Sequence, residues 1–203
     1  MPQDESRNLW QRKEELRQQG HARRHAQPDK DAASGAICRK LTEQPEYLAA
    51  ETVLFYVDAR DEVRTQPVLP TALAQGKRVV VPYCVGELIE LFHLHDVSEL
   101  APGTFRVLEP RPELRLEPQR LVPIKEIDLV VAPGVAFDRQ GGRLGHGLGY
   151  YDKLLEHLRP EAAIVALAYE CQMVPEIPCD RHDVRMDKVI TEQNVYVGGG
   201  RKS

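Results

Sequence analysis

The chain has 203 residues, 42% hydrophobic and 29% charged, enough for one domain with a sizeable core and too apolar for extended disorder. A net charge of −4 and a pI near 6.0 argue against a dedicated nucleic-acid binder. The longest apolar run, residues 162–169, falls far short of the roughly 18 residues of a membrane span. The N-terminus, MPQDESRNLWQRKEELRQQ, has no apolar signal core, so a cytoplasmic location is expected. The charge is uneven. Residues 1–40 carry nine Lys and Arg against six Asp and Glu, and the remainder carries eighteen against twenty-five, so an acidic chain opens on a basic segment. Cys38, Cys84, Cys171 and Cys179 lack zinc-finger spacing and read as buried, reduced thiols.

The first element expected is a helix over about 6–27, rich in good helix formers, with Ser6 as N-cap and Gly20 its weak point. At 100° per residue, Lys13, Arg17, His21 and Arg24 fall within about 80° of one another and form a basic stripe, which is either a solvated face or a site. A second helix follows over about 29–42. The run ETVLFYV, 51–57, is a buried strand. Residues 67–75 fit a short helix ended by Gly76. Strands are expected at 78–81, stopped by Pro82, and at 88–93, where His93 and His95 share a face. The proline-rich stretch 101–123 reads as a long irregular connection. IDLVVA, 127–132, is a strand ended by Pro133 and Gly134. A helix over 150–158 and strands at 163–168 and 188–191 complete the series, before a mobile tail at 198–203.

Strands alternating with helices predict a three-layer α/β/α fold with a mostly parallel central sheet, as one domain over 1–197. Ligands in such folds bind beyond the carboxyl ends of the strands. The loop after IDLVVA is therefore placed where a site belongs. It reads PGVAFDRQGGRLGHGLGYYDK, and five of the fourteen glycines lie between Gly141 and Gly149. Glycines let backbone N–H groups converge on an anion, and Arg143 adds a bidentate cation, so the loop is either a phosphate cradle or a flexible surface loop. It has no Gly-Lys-Ser or Gly-Lys-Thr ending, and Gly145, Gly147 and Gly149 do not give the dinucleotide spacing. Asp152 follows in the first turn of a helix, where it is either a favourable charge on the dipole or a magnesium ligand.

The segment APGVAFDRQGGRLGHGLGYYDKLL closely resembles the signature of the 5-formyltetrahydrofolate cyclo-ligase family, also called methenyltetrahydrofolate synthetases. KEELR, QPEYLAAETVLFYVDARDEVRTQPVL, GKRVVVPYC, RVLEP and HDVRMDKVITE follow in family order, so the likeness covers about residues 8–195. The resemblance implies an ATP- and Mg2+-dependent closure of 5-formyltetrahydrofolate to 5,10-methenyltetrahydrofolate, with ADP and phosphate released. It implies a monomer whose partner is a reduced folate, with no nucleic acid and no membrane. Carried over by position, Lys13 and Arg17 match ATP-binding residues, with Arg17 also placed to reach the formyl group or transferred phosphate. Arg143, Leu144, Gly145, His146, Gly147, Leu148, Gly149, Tyr150 and Tyr151 match the phosphate and substrate loop, with Arg17 and Arg143 the catalytic pair. Glu62 matches the pterin-binding carboxylate, Val57 an apolar wall of that pocket and Phe105 an aromatic over the folate. His146 and Tyr151 also belong to the substrate set, and Asp152 and Asp183 match acids associated with magnesium. Two positions depart from the pattern: His146 stands where some members have Arg or an aromatic residue, and Leu148 where Gly or Lys is common. Competing readings are a non-catalytic nucleotide or folate regulator, a sugar-phosphate isomerase, and RNA binding through the basic helix.

Overall fold

The computed structural model describes residues 2–86, 88–103, 107–178 and 183–201. Its centre is a seven-stranded sheet. The strands are β1 (Thr52–Phe55), β2 (Arg78–Val85), β3 (Leu88–Leu94), β6 (Leu129–Ala132), β9 (Ala163–Leu167), β10 (Lys188–Ile190) and β11 (Val195–Val197), in the order β11-β10-β9-β6-β1-β2-β3. The five inner strands are parallel and the two edge strands antiparallel to their neighbours. Two short hairpins lie outside the sheet: β4 (Leu100–Pro102) with β5 (Leu108–Pro110), and β7 (Ala136–Phe137) with β8 (Arg143–Leu144). The helices are α1 (Pro2–Ala26), α2 (Lys30–Thr42), α3 (Pro45–Ala49), α4 (Leu69–Ala74) and α5 (Tyr150–Leu155).

Alternation along the strands divides the core in two. Val53, Phe55, Val79, Val81, Leu129, Val131 and Val165 face Ile37, Leu41, Tyr47 and Leu69 of α2 to α4. Leu54, Val80, Val130, Ala132, Ile164 and Ala166 face the other way, against Leu155 of α5, Leu158, Val122 and Ile127. The three-layer expectation therefore holds, with the second layer built largely of turns around one short helix. Helix α2 begins where Asp29, at φ 42°, accepts from the Ala32 N–H at 3.2 Å.

Several boundaries differ from the sequence reading. Helix α1 starts at Pro2, so Ser6 lies within it and caps nothing. Strand β2 does not stop at Pro82 but runs to Val85. Pro82 faces Leu91, whose carbonyl points outward to accept from Val122 N–H at 2.9 Å, so this is a non-hydrogen-bonded pair and the missing proline N–H faces away from β3. On that other side the pairing with β1 has already ended at Val80. The stretch 101–123 holds the β4–β5 hairpin and short 3₁₀ turns rather than wholly irregular chain. Helix α3 and strand β11 carry too little pattern in sequence to be foreseen. In the tail, Gly198 to Gly200 donate backbone hydrogen bonds to Asp187, Gln140 and Met186, and Arg201 reaches the Leu158 and Ala162 carbonyls. Cys38 is buried, as expected, and burial pushes its thiol up to about 11; Cys84 is exposed and Cys171 half-buried. His93 and His95 stack edge to face at 4.3 Å, and no cluster of three metal-ligating side chains exists among the described residues.

Candidate active site

The site is assembled over the carboxyl ends of β1, β2 and β6, where a cavity of about 710 Å³ opens. One wall is the glycine loop. Its shape is held by Asp138, 2% exposed, which accepts from the N–H groups of Gln140 and Gly142 and, across the fold, of Ile177, each at 2.8 Å. A carboxylate saturated by three backbone donors is a stiff bracket. We expect Asp138→Ala to cost about 2–4 kcal/mol, because three buried donors lose their acceptor; denaturant unfolding checks this, and a loss under 0.5 kcal/mol would contradict it. Beyond the bracket, Arg143 is 7% exposed. Its Nη2 lies 2.6 Å from Asp152 Oδ1, its Nη1 donates to the Pro133 carbonyl at 3.2 Å, and its guanidinium sits 5.7 Å from the Tyr151 ring centre. The Tyr151 hydroxyl is buried with no hydrogen-bond partner among the described residues, and burial drives its pKa far upward, so it stays a neutral donor.

The opposite wall is α1, which meets the turn 170–172 and β7. Gly20 permits this: a Cβ there would lie 2.6 Å from the Val135 carbonyl oxygen. Leu16 packs against Ala136, Leu144, Val174 and Ile177. The basic stripe therefore turns inward. Lys13 Nζ contacts Asp183 Oδ2 at 2.6 Å. Arg17 donates from Nε to the Gly145 carbonyl at 3.1 Å, and its guanidinium passes 3.4 Å from where a Cβ on Gly147, at φ 97°, would stand.

The far end of the cavity is made by the loop after β1. Asp58 accepts from the N–H groups of Thr65 and Gln66, which folds the loop back on itself. Glu62 is thereby presented with Oε2 accepting from Ala59 N–H at 3.0 Å and Oε1 lying 3.3 Å from His146 Nε2 and 3.7 Å from Arg24 Nη1. Val57, Tyr83, Cys84 and Pro133 supply a largely apolar floor. His21 sits 5.2 Å ring to ring from His146, and burial, then Arg24, lowers its pKa, so it is neutral near pH 7.

A family model described as the 5-formyltetrahydrofolate cyclo-ligase family matches residues 9–192. The chain belongs to that family. It is 31% identical over 181 residues to the 5-formyltetrahydrofolate cyclo-ligase of Escherichia coli, covering 86% of this chain and 96% of that protein. It is 31% identical to a probable 5-formyltetrahydrofolate cyclo-ligase of Schizosaccharomyces pombe, over 81% of this chain and 86% of the other. The solution structure of Aquifex aeolicus 5,10-methenyltetrahydrofolate synthetase superposes with a TM-score of 0.79 at 31% identity, over 94% of this chain and 95% of that one. The protein is thus an enzyme with a cyclo-ligase fold. No helix among its described residues is long and apolar enough to cross a membrane.

Within the cyclo-ligase frame, Lys13, Arg17, Val57, Glu62, the loop from Arg143 to Tyr151, Asp152 and Asp183 all line the one cavity. Phe105 lies outside the described residues. Leu144 is 3% exposed and serves mainly as core. Leu148 is 67% exposed, at the rim. The site also contains His21 and Arg24, whose signal was their place in the basic stripe, and Tyr83 and Cys84, hidden by reading Pro82 as a strand end. Asp152 and Asp183 face the cavity but are each paired to a cation, Arg143 and Lys13 respectively. That donor set suits a magnesium ion that arrives with phosphates and takes one or two carboxylates, not an ion caged by protein alone.

Proposed function

We propose that this cyclo-ligase consumes ATP, with magnesium, to convert 5-formyltetrahydrofolate into 5,10-methenyltetrahydrofolate, releasing ADP and phosphate. The observation that carries the reading is a single cavity with two unlike ends. Lys13, Arg17 and Arg143 gather at the glycine loop, and a carboxylate, Glu62, stands over an apolar floor at the other end. A triphosphate suits the first end and a reduced pterin the second, since its 2-amino group and ring N–H donate to a carboxylate. A formamide oxygen is a poor leaving group. Transfer of the γ-phosphoryl group to it breaks the bond to the β-phosphate oxygen, frees ADP and turns that oxygen into a phosphate ester. The bridge nitrogen then attacks the formyl carbon and loses its proton, and the carbon–oxygen bond breaks with phosphate as the leaving group.

Such a sequence requires alignment and charge neutralisation, not a protein nucleophile. Cys84 lines the cavity, but burial pushes its thiol upward, so thiolate is scarce there. Arg143 and Arg17 would hold the migrating phosphoryl oxygens, and Lys13 the remaining phosphates. Asp152 and Asp183 would hold magnesium, which supplies further neutralisation of the triphosphate. Tyr151 and His146 lie between the two ends. We infer the rest of the setting as well: a cytoplasmic monomer with no nucleic-acid partner, in keeping with an acidic surface outside the basic helix.

The test is a coupled assay. Mixing the protein with 5-formyltetrahydrofolate, ATP and magnesium should give the methenyl chromophore and ADP in equal amounts, and chelation of magnesium should stop both. Tight binding of either ligand with no ADP release would instead mark a non-catalytic regulator.

A further inference from the structure

Arg24 is the most deeply buried cation of the cavity lining, at 4% exposure. A buried guanidinium is costly unless paired. Its Nη1 donates to the Gly134 carbonyl at 3.2 Å, just past the end of β6, and the same Nη1 lies 3.7 Å from Glu62 Oε1. The second contact is within ion-pair range but too long for a hydrogen bond. It therefore supplies a fixed positive charge without occupying the carboxylate as an acceptor. The neighbouring histidines do not substitute for it: His21 is held neutral by burial and by Arg24 itself, and His146 is charged only if protonated.

We propose that Arg24 is a positioning residue for Glu62, fixing the carboxylate that receives the pterin; this rests on the folate reading of that end of the cavity. The Gly134 carbonyl also accepts from Gln172 Nε2 at 3.1 Å, and Gln172 is 1% exposed, so the anchor for Arg24 is itself rigid. Arg24 lies seven residues beyond Arg17 on the same helix, about 10 Å along its axis. One rigid element thus carries the groups at the phosphate end and the group that orients the carboxylate at the other.

The experiment is a binding cycle by calorimetry, with 5-formyltetrahydrofolate and ATP titrated separately into wild-type protein, Arg24→Met, Arg24→Lys, Glu62→Gln and the Arg24→Met/Glu62→Gln double variant. Arg24→Met is expected to weaken folate binding roughly 10- to 100-fold, as for loss of one partner of a buried charge pair, with ATP affinity changed less than about twofold. Arg24→Lys should recover most of the loss. In the Glu62→Gln background, Arg24→Met should add less than about twofold. Equal loss in both backgrounds would overturn the proposal. So would a parallel fall in ATP affinity, since that marks undocking of the whole helix. A wild-type protein that binds no 5-formyltetrahydrofolate would sink the folate reading itself, whatever the variants do.

Discussion

Replacing Arg143 with alanine is expected to lower kcat by about 10³-fold or more while the protein stays folded. The guanidinium is nearly enclosed, touches Asp152 at 2.6 Å and the Pro133 carbonyl at 3.2 Å, and forms the floor of the glycine loop beside Tyr151. In so dry a setting a positive charge aimed at a migrating phosphoryl group is worth far more than at a surface. Single donors of this kind contribute roughly 10²–10³ in rate, and arginines on a phosphoryl group 10³–10⁵. The structural cost is smaller. Asp152 keeps about 30% of its side chain in solvent and rehydrates when its partner is lost. Stability should fall by about 1–3 kcal/mol, hence a drop in Tm of several degrees. Turnover measured beside a thermal melt separates the two effects. A folded Arg143→Ala protein with wild-type kcat would remove Arg143 from the mechanism.

The second large effect is expected from Gly20→Leu. On an isolated helix this change is favourable by about 1 kcal/mol, since glycine is a poor helix former. In the protein it drives a Cβ to 2.6 Å from the Val135 carbonyl oxygen and 2.8 Å from Val135 Cγ1. Val135 has little room to yield, because its N–H is fixed to the Leu144 carbonyl at 2.7 Å. The helix must therefore lift from β7, and Lys13 and Arg17 leave with it. Losing two charged contacts to phosphates should weaken ATP binding by about 100-fold or more, at 1.5–3 kcal/mol each. Calorimetry with ATP, together with faster proteolytic trimming of α1, reads this out. Unchanged ATP affinity would mean that α1 is not part of the nucleotide site.

That second case shows where sequence reasoning stopped. The parallel strands β1 and β6 are legible because their residues are buried on both faces, so ETVLFYV and IDLVVA stand out as apolar runs. The glycine loop is legible because no packed element tolerates five glycines in nine residues. Helix α1 is different. It is polar almost all round, and it docks through Leu16, a bare glycine and a buried arginine, none of which leaves an apolar period in the sequence. Its basic stripe could be listed as a solvated face or a site, but only the fold shows that the stripe looks inward. Asp138 was unreadable for another reason. Its three N–H partners come from 140, 142 and 177, and the last of these is brought near only by tertiary structure. Pro82 misled because proline usually ends a strand, whereas here its missing donor faces the side where β1 has already finished. Glu62, Lys13, Asp183 and the loop were placed from the family resemblance. Their convergence on one cavity is a property of the fold, and their roles in turnover remain for experiment.

The account turns on one event, transfer of the γ-phosphoryl group to the formyl oxygen within this cavity. Substrate carrying ¹⁸O in the formyl group tests it most directly, by mass analysis of the inorganic phosphate after one turnover. The account predicts one ¹⁸O atom in each phosphate formed, matched to one ADP and one methenyl product. Label released to water, with unlabelled phosphate, would contradict it.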